Sequence, residues 1–171
     1  MAVPQDARHI ANQEGDFVPQ HQDNWLIEIA GLDGDDKDLI TLSLLSSNLP
    51  TESNNIVEIP YGNEMRKVAG KAIYEDIPLI VHDYVDRDIR GALVRWRRLV
   101  YDTRTGNVGL PTNYKRTASM ILQATDGTLT RTVDLIGVWP SAMNPGALDM
   151  ASDEAVQIEM TLTYDRALWA L

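Results

Sequence analysis

The chain has no cysteine among its 171 residues. Disulfides, thiolate metal sites and cysteine nucleophiles are therefore excluded, and stability rests on non-covalent packing. Histidine is scarce, with only His9, His21 and His82, and none has a partner at metal-ligand spacing. No GxSxG elbow, Walker loop or GxGxxG run is present. A basic footprint is also lacking: 15 Lys and Arg stand against 25 Asp and Glu, for a net charge of −10. That balance argues against tight binding of DNA or RNA. No apolar run approaches the roughly 18 residues of a spanning helix. The start, MAVPQDARHIANQEGD, has no apolar stretch of the secretory type. The expectation is a soluble chain made in the cytosol, with no cofactor, no metal and no catalytic residue.

Alternation dominates what remains. Hydrophobic residues make up 44% and charged residues 23%, a globular balance at a length that suits one domain. Residues 1–22 are polar and aperiodic. They read as an arm ahead of a single domain over 23–171, either frayed or ordered on a neighbouring subunit. Trp25, Ile27 and Ile29 alternate with Leu26 and Glu28, the period of a half-buried strand. GLDGDDKD (31–38) reads as a turn. Its aspartates resemble a calcium loop, but the glycine falls second and the closing Glu is missing. Ile40, Leu42 and Leu44 alternate with Thr41 and Ser43, which reads as a second strand. Residues 46–55 read as a polar loop and 56–61 as a short extended run. Residues 64–85 read as one long strand or two, with Gly70 at a bulge and Pro78 at an edge or an unpaired amide.

One helix stands out. Ile89, Ala92, Leu93, Trp96, Leu99 and Val100 recur at helical spacing and predict a helix over about 86–103. Asp86 is the expected N-cap, and Arg95, Arg97 and Arg98 fall on other faces. RTASMILQATDGTLTRTVDLI (116–136) carries Asp126-Gly127 at its centre, a two-residue hairpin signal. It sets Met120 opposite Val133, Ala118 opposite Leu135, Ile121 opposite Thr132 and Ser119 opposite Asp134. Nearer the turn, Ala124 would face Leu129 and Gln123 would face Thr130. Val156, Ile158, Met160, Leu162 and Tyr164 alternate in a last strand. The sum is a mainly β protein, an antiparallel sandwich or barrel of about seven or eight strands with one flanking helix.

Between the last two strand patterns lies GVWPSAMNPGALDM (137–150). It reads as a loop, yet it carries Trp139, Met143, Leu148 and Met150 beside Pro140 and Pro145. Either the chain's own core or another copy must cover these groups. Trp25, Trp96 and Trp139 are the expected core anchors. The strand faces of Thr, Ser and Gln look like architecture that faces water. Sheet edges need management, and closing the sheet through identical neighbours is one solution.

Six segments in order carry a family resemblance: NWLIEIAGL, VEIPYGNEMRKVAGKAIYEDIPLIVHD, LVRWRRLVYDTRTG, YKRTASMILQATDG, GVWPSAMNPGALDMAS and VQIEMTLTYDRA. The chain resembles the tail tube proteins of contractile-tailed bacteriophages over about residues 24–166. Relatives form pyocin tubes and type VI secretion tubes. The resemblance implies a structural protein of the virion tail, assembled in the host cytoplasm. It implies hexameric rings stacked into a tube within a contractile sheath, through which DNA and the tape-measure protein pass. Sheath, baseplate and tail-terminator proteins are the implied partners, with no membrane involved. Glu159, Gln157, Thr161, Asp134, Thr132 and Thr130 then become candidates for a negative lumen wall along which DNA slides without sticking. Leu49, Pro50, Met143, Pro145, Leu148 and Met150 become candidates for contacts between subunits. Competing readings are a tailocin or secretion tube, a baseplate tube initiator, and a monomeric ligand-binding β-barrel, which the bulky inward Leu, Ile, Met and Trp oppose. A β-sandwich hydrolase is opposed by the missing nucleophile and base.

Overall fold

The computed structural model describes residues 20–124 and 127–170. Residues 1–19 of the 1–22 arm, the turn residues Thr125 and Asp126, and Leu171 lie outside the described residues. In chain order the elements are β1 (Trp25–Ile29), α1 (Gly34–Leu42), β2 (Leu44–Ser47), β3 (Glu52–Tyr61), β4 (Glu64–Tyr74) and β5 (Ile77–His82). Then follow α2 (Ile89–Val100), β6 (Tyr101–Asp102), β7 (Asn107–Val108), α3 (Pro111–Tyr114), β8 (Arg116–Gln123), β9 (Leu129–Asn144), β10 (Gln157–Thr163) and β11 (Arg166–Ala170).

Seven strands join in the order β1-β8-β9-β10-β5-β2, with β11 also paired to β9. The sixteen-residue β9 is shared. Its first part pairs β8 on one edge and β11 on the other, and its last part pairs β10. The change happens at Gly137, whose φ is 73°. Beyond it the sheet turns over, so that two halves face each other. The inward positions of one half are Ile27, Ile29, Ala118, Met120, Val133 and Leu135. Those of the other are Ile77, Leu79, Val81, Ile158, Met160 and Leu162, and both sets belong to one core. The chain is thus mainly β and antiparallel, as its alternation predicts.

The helix α2 packs Ile89, Ala92, Leu93, Trp96 and Val100 into the same core. Trp96 is 1% exposed, and its indole N–H donates to the Tyr114 carbonyl at 3.1 Å. Burying each such large side chain stabilises the dock by about 2 kcal/mol, as an upper figure. Two details differ from expectation. The N-cap is Asp88, which accepts from Gly91 N, and not Asp86. Leu99 sits outside the buried stripe and is exposed.

Ile40, Leu42 and Leu44 do not form one strand. Residues 34–42 are helical, and β2 begins only at Leu44. A period of two over three residues does not exclude a helix, because positions 40 and 44 share a helical face too. The aspartates decide: Asp33 holds the N-cap position, and Asp35 and Asp36 stand in the first turn, where the macrodipole favours negative charge. Leu42 is left 81% exposed as a result.

The segment 137–144 is strand, not loop, because β9 continues through it. Pro140 is buried opposite Leu162. A proline is tolerated there because β8 has ended its pairing at Val138, so this part of β9 is an edge. Pro78 lies in a strand flanked on both sides, and so not at an edge. It stands one position beyond the last β2 pair, Ser47 with Leu79. The hairpin register holds from Thr117–Ile136 to Leu122–Arg131, then shifts, so that Gln123 faces Leu129 rather than Thr130.

A methyl group at Gly137 would collide with the Asp165 carboxylate, which Lys115 holds at 2.6 and 2.7 Å. The left-handed backbone adds its own cost. Gly137→Ala is expected to lose about 1–3 kcal/mol of unfolding free energy, read by urea denaturation of the dispersed protein.

Candidate functional site

Among the described residues, no group of three His, Asp or Glu could hold a metal ion. No helix there is long and apolar enough to cross a membrane. The features that stand out are surfaces.

The first is the β3–β4 hairpin. These strands pair only with each other. Their two-residue turn is Gly62-Asn63, between Tyr61 and Glu64, with Gly62 at φ 63°. The register slips between Asn54 and Ile56, opposite Gly70. A methyl group at Gly70 would press on the Asn55 carbonyl at 2.8 Å, so the bulge needs that glycine. Every residue of β3 is exposed. Pairing puts Val57, Ile59, Tyr61, Val68 and, beyond the bulge, Ile73 on one face and Ile56, Pro60 and Met65 on the other. Each face therefore carries exposed apolar side chains beside charged ones, Arg66 and Glu64 on the first and the Glu58–Lys67 ion pair at 3.4 Å on the second, and Tyr61 at the tip is 81% exposed. At the base, Glu75 N donates to Thr51 O at 3.2 Å and extends the ladder by one step, and Tyr74 meets Tyr164 of the body with ring centroids 5.7 Å apart. Two-stranded ribbons are marginal in water when nothing packs on them. Sequence reading saw both runs but not their pairing; the Tyr-Gly-Asn-Glu turn between them was the available signal.

The second is a cleft of about 530 Å³ lined by Trp25, Leu45, Ser47, Leu49, Met120 and Leu122. The edge strands β1 and β2 do not pair across it. The Ser47 hydroxyl is buried without a partner. Leu49 is part-exposed in this cleft, while Pro50 is buried in its own chain.

The loop after β9 divides. Trp139 is half-buried and meets Tyr114 edge-on at 5.7 Å, and Met143 packs partly buried on the core. Pro145 is exposed, Leu148 is 82% exposed, and Met150 is fully exposed. Trp25 is half-buried against the core.

The lumen candidates fall on two different surfaces. Thr132 and Asp134, with Thr130 at the rim, belong to the outer face of the β8 half, where Ser119 Oγ donates to Asp134 at 2.6 Å. Gln157, Glu159 and Thr161 belong to the outer face of the other half, opposite His82, Ile80 and Pro78. The two trios thus lie on the outer faces of different halves of the folded sheet.

An ion network fastens α1 to α2. Arg95 donates through Nε to Asp36 at 2.9 Å, through Nη2 to the other Asp36 oxygen, and through Nη1 to Asp88 at 2.9 Å. The two carboxylates, Asp36 first, hold Arg95 protonated far above its ordinary range. The Arg95 hydrogen bond in turn holds the Asp88 carboxyl below its ordinary 3.8, with a smaller contribution from Gly91 N–H.

No family model matches the chain. The tail tube protein of Enterobacteria phage T4 is 31% identical over 117 residues, which span 64% of this chain and 71% of that protein. The chain belongs to the tail tube protein family. The tail tube protein of Serratia phage KSP90 is 22% identical over 174 residues, 98% of this chain and 97% of that one. Among solved structures, a chain of the sheath–tube complex of the extracellular contractile injection system PVC superposes with a TM-score of 0.64. It is 17% identical, with 98% of this chain and 99% of that one covered, and it shares the fold. Family membership makes this a structural tail protein and not an enzyme.

A carboxylate whose pKa is lowered on folding stabilises at pH values above its unfolded pKa and loses that effect as pH falls through the folded one. Asp88→Asn keeps a cap acceptor but not the charge. It is expected to lower the melting temperature at pH 7, with the gap to wild type closing below pH 3.8, read by thermal melts across a pH series.

Proposed function

We propose that the chain forms hexameric rings that stack into the inner tube of a contractile tail. One observation carries the assembly: the β3–β4 hairpin exposes apolar side chains on both faces and, among the described residues, pairs with no other strand. Such a ribbon gains stability only when another copy packs on it. The open edges of β1, β2 and β11 support the same reading, since a closed ring of copies leaves no sheet edge unpaired. Ring size, stacking and a surrounding sheath belong to the same proposal, which the likeness to tail tube proteins supports.

Of the two polar surfaces, the Glu159 face suits the channel better. Its neighbours Ser46, Pro78, Ile80, His82, Ala142, Asn144, Gln157 and Thr161 include no Lys or Arg. The Asp134 face includes Arg166 on β11. A wall without cations gives DNA phosphates nothing to pair with, and the net charge of −10 on each copy repels them. DNA and the tape-measure protein would pass through without lasting contact. Sheath, baseplate and terminator proteins are the expected partners, and the virion tail the expected location.

Purified protein examined by negative-stain electron microscopy over a range of concentrations, with tube ends added as nuclei, is expected to give rings or hollow tubes. Ile59→Glu with Met65→Glu places one charge on each hairpin face. Both positions are exposed in the single chain, so unfolding free energy is expected to stay within about 0.5 kcal/mol while tubes disappear. Tubes that form normally from this variant would remove the hairpin from the assembly.

A further inference from the structure

Six arginines, Arg87, Arg90, Arg95, Arg97, Arg98 and Arg104, fall between residues 87 and 104 of this acidic chain. Arg90 is taken by Asp83 at 2.7 Å, and Arg95 by Asp36 and Asp88. Arg98 is exposed and enters none of the ion pairs among the described residues. It borders a cleft of about 340 Å³ that also holds Leu32, Asp33, Leu99 and Arg116. Arg116 donates through Nη1 to the Lys115 carbonyl at 3.1 Å, but its Nε is buried with no hydrogen-bond partner. A buried donor left unmade is costly. Leu99 adds exposed apolar surface beside these cations. The chemistry that completes such a cleft is a carboxylate next to an apolar side chain.

This chain displays that chemistry elsewhere. The loop over 145–156 presents Leu148 and Met150 to solvent beside Asp149, Asp153 and Glu154. Asp149 is partly used, accepting from Ala151 N at 2.9 Å, while the whole of 149–154 is exposed. The loop lies beside β5 and β10, forming a groove with Ile80 and Glu159. The arginine cleft is built from α1, α2 and the start of β8. The two surfaces thus sit on different halves of the folded sheet, the arrangement a head-to-tail ring contact requires.

We propose that the acidic, apolar-tipped loop 145–156 of one copy docks into the Arg98–Arg116 cleft of the next copy around the ring. The pairing rests on the reading that copies assemble, and it names the surfaces through which they do so. Its test is charge reversal with rescue, scored by sedimentation and negative-stain microscopy beside a wild-type control. Arg98→Glu and, separately, Asp153→Lys with Glu154→Lys are expected to raise the protein concentration needed for assembly by about tenfold or more. All these side chains are exposed, so circular dichroism should stay that of wild type. Mixed in equal amounts, the two variants can alternate around a ring, each reversed cleft meeting a reversed loop. Assembly should then return to within about twofold of wild type, and the triple variant should assemble alone. Normal assembly by either variant, or loss that neither mixing nor combination restores, overturns the pairing while leaving the ring reading intact. A wild-type chain that never self-associates overturns both.

Discussion

A single strand, β9, serves two sheets, and the rest of the molecule is arranged around the bend that lets it do so. Gly137 turns the backbone at a positive φ that side chains rarely adopt. Before the bend β9 holds β8 and β11, and after it β10. Folding the sheet over brings two apolar faces together, and α2 drives Trp96 and Leu93 into the same core. The ion network of Arg95 with Asp36 and Asp88 then fastens α1 onto that helix at the periphery. Its half-exposed arginine makes it a fastening and not a main source of stability.

Once that core is closed, the chain has apolar surface left over. The hairpin β3–β4, the tip Leu148–Met150 region and the rim of the Trp25 cleft are all formed but uncovered. For a monomer these surfaces are a liability. For a subunit they are the surfaces through which the proposed tube would assemble.

Much of the fold was legible where one face is buried. The 116–136 hairpin has a polar and an apolar face, so a one-residue slip would expose its core side, and its register holds through six consecutive pairs. The α2 stripe was legible for the same reason, with five buried positions at helical spacing. Legibility failed where few residues report. Three alternating apolar positions at 40, 42 and 44 fit two periods, and only the aspartates before them separate helix from strand. The site was less legible than the fold. The two lumen trios look alike in sequence, and only the bend in β9 reveals that they belong to different surfaces. The hairpin was less legible because its first strand begins in a stretch, Glu52–Asn55, that reads as polar loop, and only the Gly62-Asn63 turn signals that the two extended runs pair.

The claim that uncovered surfaces of a closed core become tube contacts is tested most directly by hydrogen exchange along the hairpin. Amides of residues 52–74 should exchange readily in dilute, dispersed protein, because no other strand among the described residues pairs with this hairpin and β3 is exposed throughout. In assembled protein the same amides are expected to slow by about tenfold or more, while those of β9 and β10 in the core change little. Hairpin exchange that is unchanged by assembly, with protection gained elsewhere, would contradict the account.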